Sequence, residues 1–213
     1  MTDFPIARPA PRIRGLARGV LLLMSLGLLG SCSSSTGVPL VPSFTILPIP
    51  ATTQFVATTT SFWARTDQDR QVSLSALDKN GQPKPFVTFK VPQRALLARP
   101  DGTPFSTTAP DSVLITMSLT DPTKLALEFQ PSGLTFSATR SAELKFNYYA
   151  ATGGDYNDDG KEDGKDGQIA TQLAVWRQEI VTQPFVKQNS TLTIDQGECD
   201  LNVAGFTRYA IAY

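Results

Sequence analysis

The 213-residue chain contains no histidine and only two cysteines, Cys32 and Cys199. Without histidine, a Ser-His-Asp or Cys-His arrangement and any histidine-ligated zinc or iron site within the chain are excluded. Beyond residue 31 the chain also lacks a cluster of lysine and arginine. Phosphate backbones demand such clusters, so nucleic acid is set aside as a partner. No apolar run is long enough to cross a bilayer: Val20–Leu29 is uncharged for ten residues, about half of what a spanning helix needs. Beyond that run, no long stretch carries a clear helical period.

What precedes and follows the apolar run gives it a meaning. Arg8, Arg12, Arg14 and Arg18 form a positive flank opposed only by Asp3, and a positive flank before a short apolar core is the layout of an export signal. Leu29-Gly30-Ser31-Cys32 follows the core, and then Ser33-Ser34-Ser35-Thr36-Gly37. Small residues and a cysteine at this point resemble the bacterial lipoprotein signal; an ordinary signal peptide or anchor with an incidental cysteine is the alternative. The resemblance implies that residues 1–31 are a signal peptide removed on export. Cys32 would then carry diacylglycerol and a further acyl chain such as palmitate, with residues 32–43 as a flexible tether. Each buried methylene contributes about 0.8 kcal/mol, and two or more chains make anchoring stable. Ser33, with no aspartate after Cys32, resembles lipoproteins sorted to the outer membrane of Gram-negative cells. Setting aside the four arginines and one aspartate of residues 1–31 leaves 15 basic and 18 acidic residues, a net charge of −3. With Cys32 taken by lipid, Cys199 has no partner, and its setting in Glu198-Cys199-Asp200-Leu201 suits a small buried hydrophobe.

From residue 72 onward the chain alternates in short segments broken by turn residues. Val113, Ile115, Met117 and Leu119 recur at a period of two, as do Leu125, Leu127 and Phe129, and then Leu144, Phe146 and Tyr148. Phe86–Val91 stops at Pro92, and Asn80-Gly81 and Asp101-Gly102 mark turns. Leu192 with Ile194, Leu201 with Val203, and Tyr209–Tyr213 complete the set. Such punctuation predicts an all-β antiparallel sandwich or barrel. Ile169, Leu173, Trp176 and Ile180 have helical spacing, but Leu173, Val175 and Arg177 also fit a strand, and the β context favours the strand. Residues 44–66 read as an edge strand or an N-terminal wrapping.

The sharpest chemical signal is Asp155–Asp166, D-Y-N-D-D-G-K-E-D-G-K-D, with six carboxylates in twelve residues. Calcium takes six to eight hard oxygens, and twelve-residue loops supply them from positions 1, 3, 5, 7, 9 and 12. Those positions are Asp155, Asn157, Asp159, the Lys161 carbonyl, Asp163 and Asp166, with Gly160 at the sharp turn of position six. With Asp rather than Glu at position twelve, the loop resembles the calcium loop of dockerin-like repeats more than a regulatory EF-hand. Because Phe146–Tyr149 reads as a strand, no entering helix is expected. A solvent-facing acidic hairpin is the alternative, although its carboxylates would repel one another with only Lys161 and Lys165 to offset them.

Three stretches together resemble the ZU5-like domains of bacterial surface proteins and lipoproteins. Phe89–Leu96 followed by Val113–Met117 is similar to that family's proline-containing segment and its next strand, with Arg94 where glycine is usual. Leu127–Ser137 carries its proline-small-glycine-leucine-x-phenylalanine motif, and Gly205–Ala212 its terminal F-S-R-Y-A strand, with Thr207 for serine. The resemblance implies an immunoglobulin-like antiparallel β-sandwich over residues 44–213, with an acidic insertion at 153–168. It also implies a non-catalytic interaction or scaffold module, lipid-anchored to the cell envelope with a protein partner there. A carbohydrate or cell-wall binding module is a second reading, favoured if Trp176, Tyr148 or Tyr156 lie coplanar on one sheet face. A carboxylate-based hydrolase is a third, needing two carboxyl groups roughly 5–9.5 Å apart in a cleft. Arg208, between Phe206 and Tyr209, is expected to strap the sheet.

Overall fold

The computed structural model describes residues 44–213. The expected export signal (residues 1–31), Cys32 and the expected tether (32–43) lie outside the described residues. The fold is all-β with several antiparallel sheets. Strands β1 (Thr59–Arg65), β5 (Ser112–Asp121), β6 (Lys124–Gln130), β9 (Ala174–Gln178), β10 (Val186–Lys187) and β13 (Arg208–Ala212) form a six-stranded sheet in the order β1-β5-β6-β13-β9-β10. A five-stranded sheet takes β2 (Arg70–Leu77), β3 (Pro83–Val91), β8 (Ala142–Asn147), β11 (Thr191–Thr193) and β12 (Glu198–Val203), in the order β11-β12-β8-β3-β2. Strands β4 (Leu96–Ala98) and β7 (Thr135–Phe136) make a small third sheet.

Alternation along each strand decides which side chains meet. Ile115 and Met117 of β5 and Leu125, Leu127 and Phe129 of β6 are fully buried, while their neighbours Leu114 and Lys124 face outward. Phe89 of β3 gathers the three sheets: its ring lies 5.0 Å from Phe129, 6.2 Å from Phe136 and 5.4 Å from Phe206, with Phe62 at 6.3 Å. Fully burying one such side chain stabilises the fold by about 1.5–3 kcal/mol. Cys199 is a free, fully buried cysteine of β12, opposite Phe146, and burial pushes its thiol pKa up. It sits there as a small core residue.

Residues 44–66 contain both expected features. The wrapping runs through single bridges, Ile46 to Ala212, Pro48 to Lys124 and Phe55 to Ala76, before β1 forms the edge of the large sheet. Both glycine turns appear, with left-handed backbone at Gly81 (φ 72°) and Gly102 (φ 83°). Arg94 also adopts φ 62°, the Ala95 N–H donates to the Pro92 carbonyl at 3.0 Å, and the Arg94 N–H donates to the Thr66 carbonyl at 3.0 Å, so the tight turn forms although glycine is replaced. Arg208 straps β13 to β6 through Glu128 Oε2, 2.8 Å from its Nη2.

Two expectations need correction. Strand β8 ends at Asn147, and Tyr148–Thr152 form a short helix, α1, instead of continuing the strand. The strand favoured over Leu173, Val175 and Arg177 forms as β9, starting one residue late, but the stripe Ile169, Leu173, Trp176 and Ile180 does not belong to it as a whole. Ile169 belongs to a second short helix, α2 (Gly164–Ala170), Leu173 precedes β9, and Ile180 is 54% exposed beyond it.

Candidate functional site

Helices α1 and α2 hold the two ends of the acidic segment. Asn147 starts α1 because its Oδ1 accepts the Ala150 N–H at 2.8 Å, and Gly153 ends it in the left-handed region, which suits glycine. At the other end, Asp163 Oδ1 accepts the Lys165 N–H at 2.8 Å, while Asp166 Oδ2 accepts the Asp163 N–H at 2.8 Å. This reciprocal pair is a capping box at the start of α2.

Between the helices, side-chain oxygens fold the loop onto its own backbone. Asp155 accepts from the N–H groups of Asp159 (3.2 Å) and Gly160 (2.8 Å). Asn157 Oδ1 accepts from Asp159 (3.0 Å), and Asp159 Oδ1 from Lys161 (3.1 Å). Asp158 and Gly160 both take positive φ, 57° and 83°, which reverses the chain within three residues. Asp166, only 2% exposed, reaches back across the loop to accept the Tyr156 N–H at 2.7 Å. Burial opposes its ionisation, but the N–H donors of Asp163, Tyr156 and Asn157 outweigh that and hold its carboxyl below the usual carboxylate range.

The six expected positions therefore fall in one short turn-rich segment, with Asp155, Asn157 and Asp159 linked through shared amides and Asp166 tying the two halves. Their carboxylates are turned toward N–H groups: among the described residues, no group of three or more Asp, Glu, His or Cys side chains is assembled to hold a metal ion. Asp159 Oδ2 also receives the Asn157 amide at 3.1 Å and faces Lys165 Nζ at 3.8 Å. Each of these side-chain donors is a hard oxygen of the kind calcium takes. A carboxylate oxygen has about two acceptor sites, and one N–H uses only one of them.

Tyr156, the second residue of the loop, is buried edge-to-face against Tyr148, with ring centroids 5.4 Å apart. Burial pushes the Tyr148 phenol up to about 12, so it stays protonated at neutral pH, and its buried hydroxyl has no hydrogen-bond partner among the described residues. Trp176 packs edge-on against Phe44 at 5.0 Å and donates its indole N–H to the Ala212 carbonyl. These three rings do not form a coplanar exposed platform. Beside the loop, and walled in part by it, an open groove of about 1400 Å³ runs between the β2–β3 hairpin and α1, lined by Lys79, Lys84 and Tyr149 and, from the loop, by Asp155, Lys161 and Glu162 among others. Nothing in the local pattern signals this groove, because its walls come from distant segments. The short α1 did leave a signal, an Asn cap at 147 and a Gly at 153. Comparison of the chain with protein-family models, curated proteins and solved structures gives no match.

Proposed function

We propose that this chain is a non-catalytic interaction module of the bacterial cell envelope, anchored through lipid on Cys32, whose 155–166 loop takes up one structural calcium ion. The carrying observation is the loop itself. Its oxygen-bearing residues fall at the chelating positions, its backbone turns left-handed at Asp158 and Gly160, and Asp166 closes the far end by a capping box. Asp155, Asn157, Asp159, Asp163 and Asp166 would supply side-chain oxygens and Lys161 its carbonyl. A cation of that kind neutralises clustered carboxylates and joins the two short helices flanking them. The partner would be a protein of the envelope, with membrane lipid around the anchor.

An immunoglobulin-like, ZU5-like sandwich is the finer fold reading. It is supported by the two large antiparallel sheets sharing one aromatic core, and by Tyr209, whose buried hydroxyl donates to the Gly205 carbonyl four residues upstream. A tyrosine bonded back in this way is a corner feature of such sandwiches. The ZU5-like motif position at Arg94 also keeps the positive φ that glycine would favour.

Calorimetric calcium titration of the full chain, with a thermal melt alongside, tests the metal site. One saturable site per chain is expected, with stabilisation of about 2.7 kcal/mol at a hundredfold excess over Kd, both lost in Asp155→Ala. No heat and no change in melting at millimolar calcium would sink the calcium reading. Intact-mass analysis of the protein from its native membrane tests the anchor, and an N-terminus other than acylated Cys32 overturns it.

A further inference from the structure

Strand β1 forms one border of the six-stranded sheet and, among the described residues, pairs only with β5, without a shift in register. Bonds from Leu119 N–H to the Thr58 carbonyl (2.8 Å) and from Thr66 N–H to the Asp111 carbonyl (2.9 Å) show which residues face β5. Hydrogen-bonded pairs alternate in an antiparallel ladder, so the even-numbered residues 58–66 are bonded to β5. The N–H and C=O groups of Thr59, Ser61, Trp63 and Arg65 therefore point away from the sheet, and no described residue takes them up. Edge strands are usually guarded by lysine, proline or a bulge. Thr59–Trp63 has none of these, and Arg65 is tied to Asp67 at 2.8 Å.

Along Thr59–Trp63 the solvent face beside this edge is uncharged and mixes hydroxyl with apolar side chains, with Arg65 at its end. Trp63 (57% exposed) lies directly across from Leu114 (45% exposed), next to the Ser61–Thr116 hydroxyl pair at 2.8 Å. Farther along the same sheet, charge reappears in the Arg208–Glu128 pair.

We propose that this edge pairs with β1 of a second copy of the chain, antiparallel about a two-fold axis, so that the two six-stranded sheets become continuous. Unpaired backbone groups at strand spacing call for another extended strand. The absence of charge along Thr59–Trp63 favours an identical one, because no like charges meet across the axis and no charged handle is offered to a different partner. Centring the axis at Phe62 sets Ser61 of each copy against Trp63 of the other and brings the two Trp63 rings to diagonal positions, within aromatic reach. One tryptophan, one leucine and a short edge per copy fall below the roughly 1000 Å² of a stable interface, so the dimer is reversible and depends on concentration. It does not rest on the calcium reading.

Sedimentation velocity on the full chain in mild detergent, from micromolar to millimolar protein, tests the pairing. A monomer–dimer equilibrium is expected. Ser61→Pro removes one outward N–H without touching the β5 ladder, and Trp63→Lys places a charge on the edge. Each is expected to weaken dimerisation at least tenfold with thermal melting retained, whereas Val186→Lys at the opposite border leaves it unchanged. A wild-type chain that stays monomeric at millimolar concentration overturns the proposal. So does a dimer insensitive to Trp63→Lys, which would place the contact elsewhere, for example on the apolar run 20–29 or a different envelope surface. Should Ser61→Pro fail to fold, the exposed Trp63 substitution decides alone.

Discussion

Phe89 and Asp166 are both buried, and each organises its own region, but the forces around them differ. Phe89 is surrounded by Phe62, Phe129, Phe136 and Phe206, rings contributed by separate strands and segments. Asp166 is surrounded by amides from its own segment, Tyr156 and Asp163. Dispersion and water exclusion hold the first region, and they depend weakly on pH and ions. Oriented hydrogen bonds to ionised carboxylates hold the second, and they depend on both. The loop is thus the part of the domain that solution conditions can tune, while the sheets set the overall stability.

Breaking the aromatic region should have the largest effect. Phe129 stacks on Phe206 at 4.8 Å and touches Phe89, so Phe129→Ala leaves a cavity at the junction of the sheets. A loss of about 3–5 kcal/mol is expected, read from urea melts, with the loop lost together with the core. A loss below about 1 kcal/mol would mean the cluster collapses to fill the space. In the loop, Asp166→Ala leaves the Tyr156 and Asp163 N–H groups without acceptors. The expected cost is about 1–3 kcal/mol, concentrated in faster hydrogen exchange over residues 155–170 while amides of β5 and β6 stay protected. Uniform acceleration across the domain would contradict the separation of the two regions.

Acid sharpens the same contrast. The Asp166 carboxyl is held below its ordinary range. Its stabilising effect is therefore complete above the unfolded value of about 3.9 and is lost as pH falls through the lower folded value. Asp111 behaves alike: the Ser106 N–H acts most strongly, ahead of burial, with Ser112 N–H and Arg99 adding to it. Stability should fall below about pH 4. Asp166→Asn should flatten part of that fall, and an unchanged stability–pH curve would show that Asp166 contributes nothing to it.

How far these regions could be read in advance follows from how local their causes are. In β5 and β6, Ile115, Met117, Leu127 and Phe129 alternate with outward residues, and one buried sheet face makes that period visible. The turns of the loop were legible too, because most of its hydrogen bonds join residues two to five apart, whereas the bond from Tyr156 to Asp166 spans ten and no local spacing names it. Tyr148 misled because Leu144, Phe146 and Tyr148 continue a period of two, yet the chain leaves the strand at Asn147. All three side chains are buried in either geometry, and a five-residue helix is too short to display its own period. The stripe from Ile169 to Ile180 spans a helix end, a turn and a strand, so its spacing was coincidental. Residues 44–58 could not be placed because their bridges go to Ala212, Lys124 and Ala76, partners that no local pattern names.

The smallest expected effect is a gain. Arg94 is exposed and sits at φ 62°, where a Cβ crowds the following carbonyl at a cost of about 1–2 kcal/mol. The Ala95 N–H closes the turn on the Pro92 carbonyl, and the Arg94 backbone N–H, not its side chain, makes the bond that ties the turn to Thr66. Arg94→Gly keeps that bond and relieves the crowding, but glycine gives the unfolded chain more freedom, worth about 0.5–1 kcal/mol against folding. The balance favours the glycine variant by roughly 0.5–1 kcal/mol, or about 1–4 °C in Tm for a domain of this size. A lower Tm would mean that the guanidinium makes a contact stronger than the strain it carries. A higher Tm would show that this turn, in the sheet-built region, is limited by one backbone angle rather than by any contact of the arginine side chain.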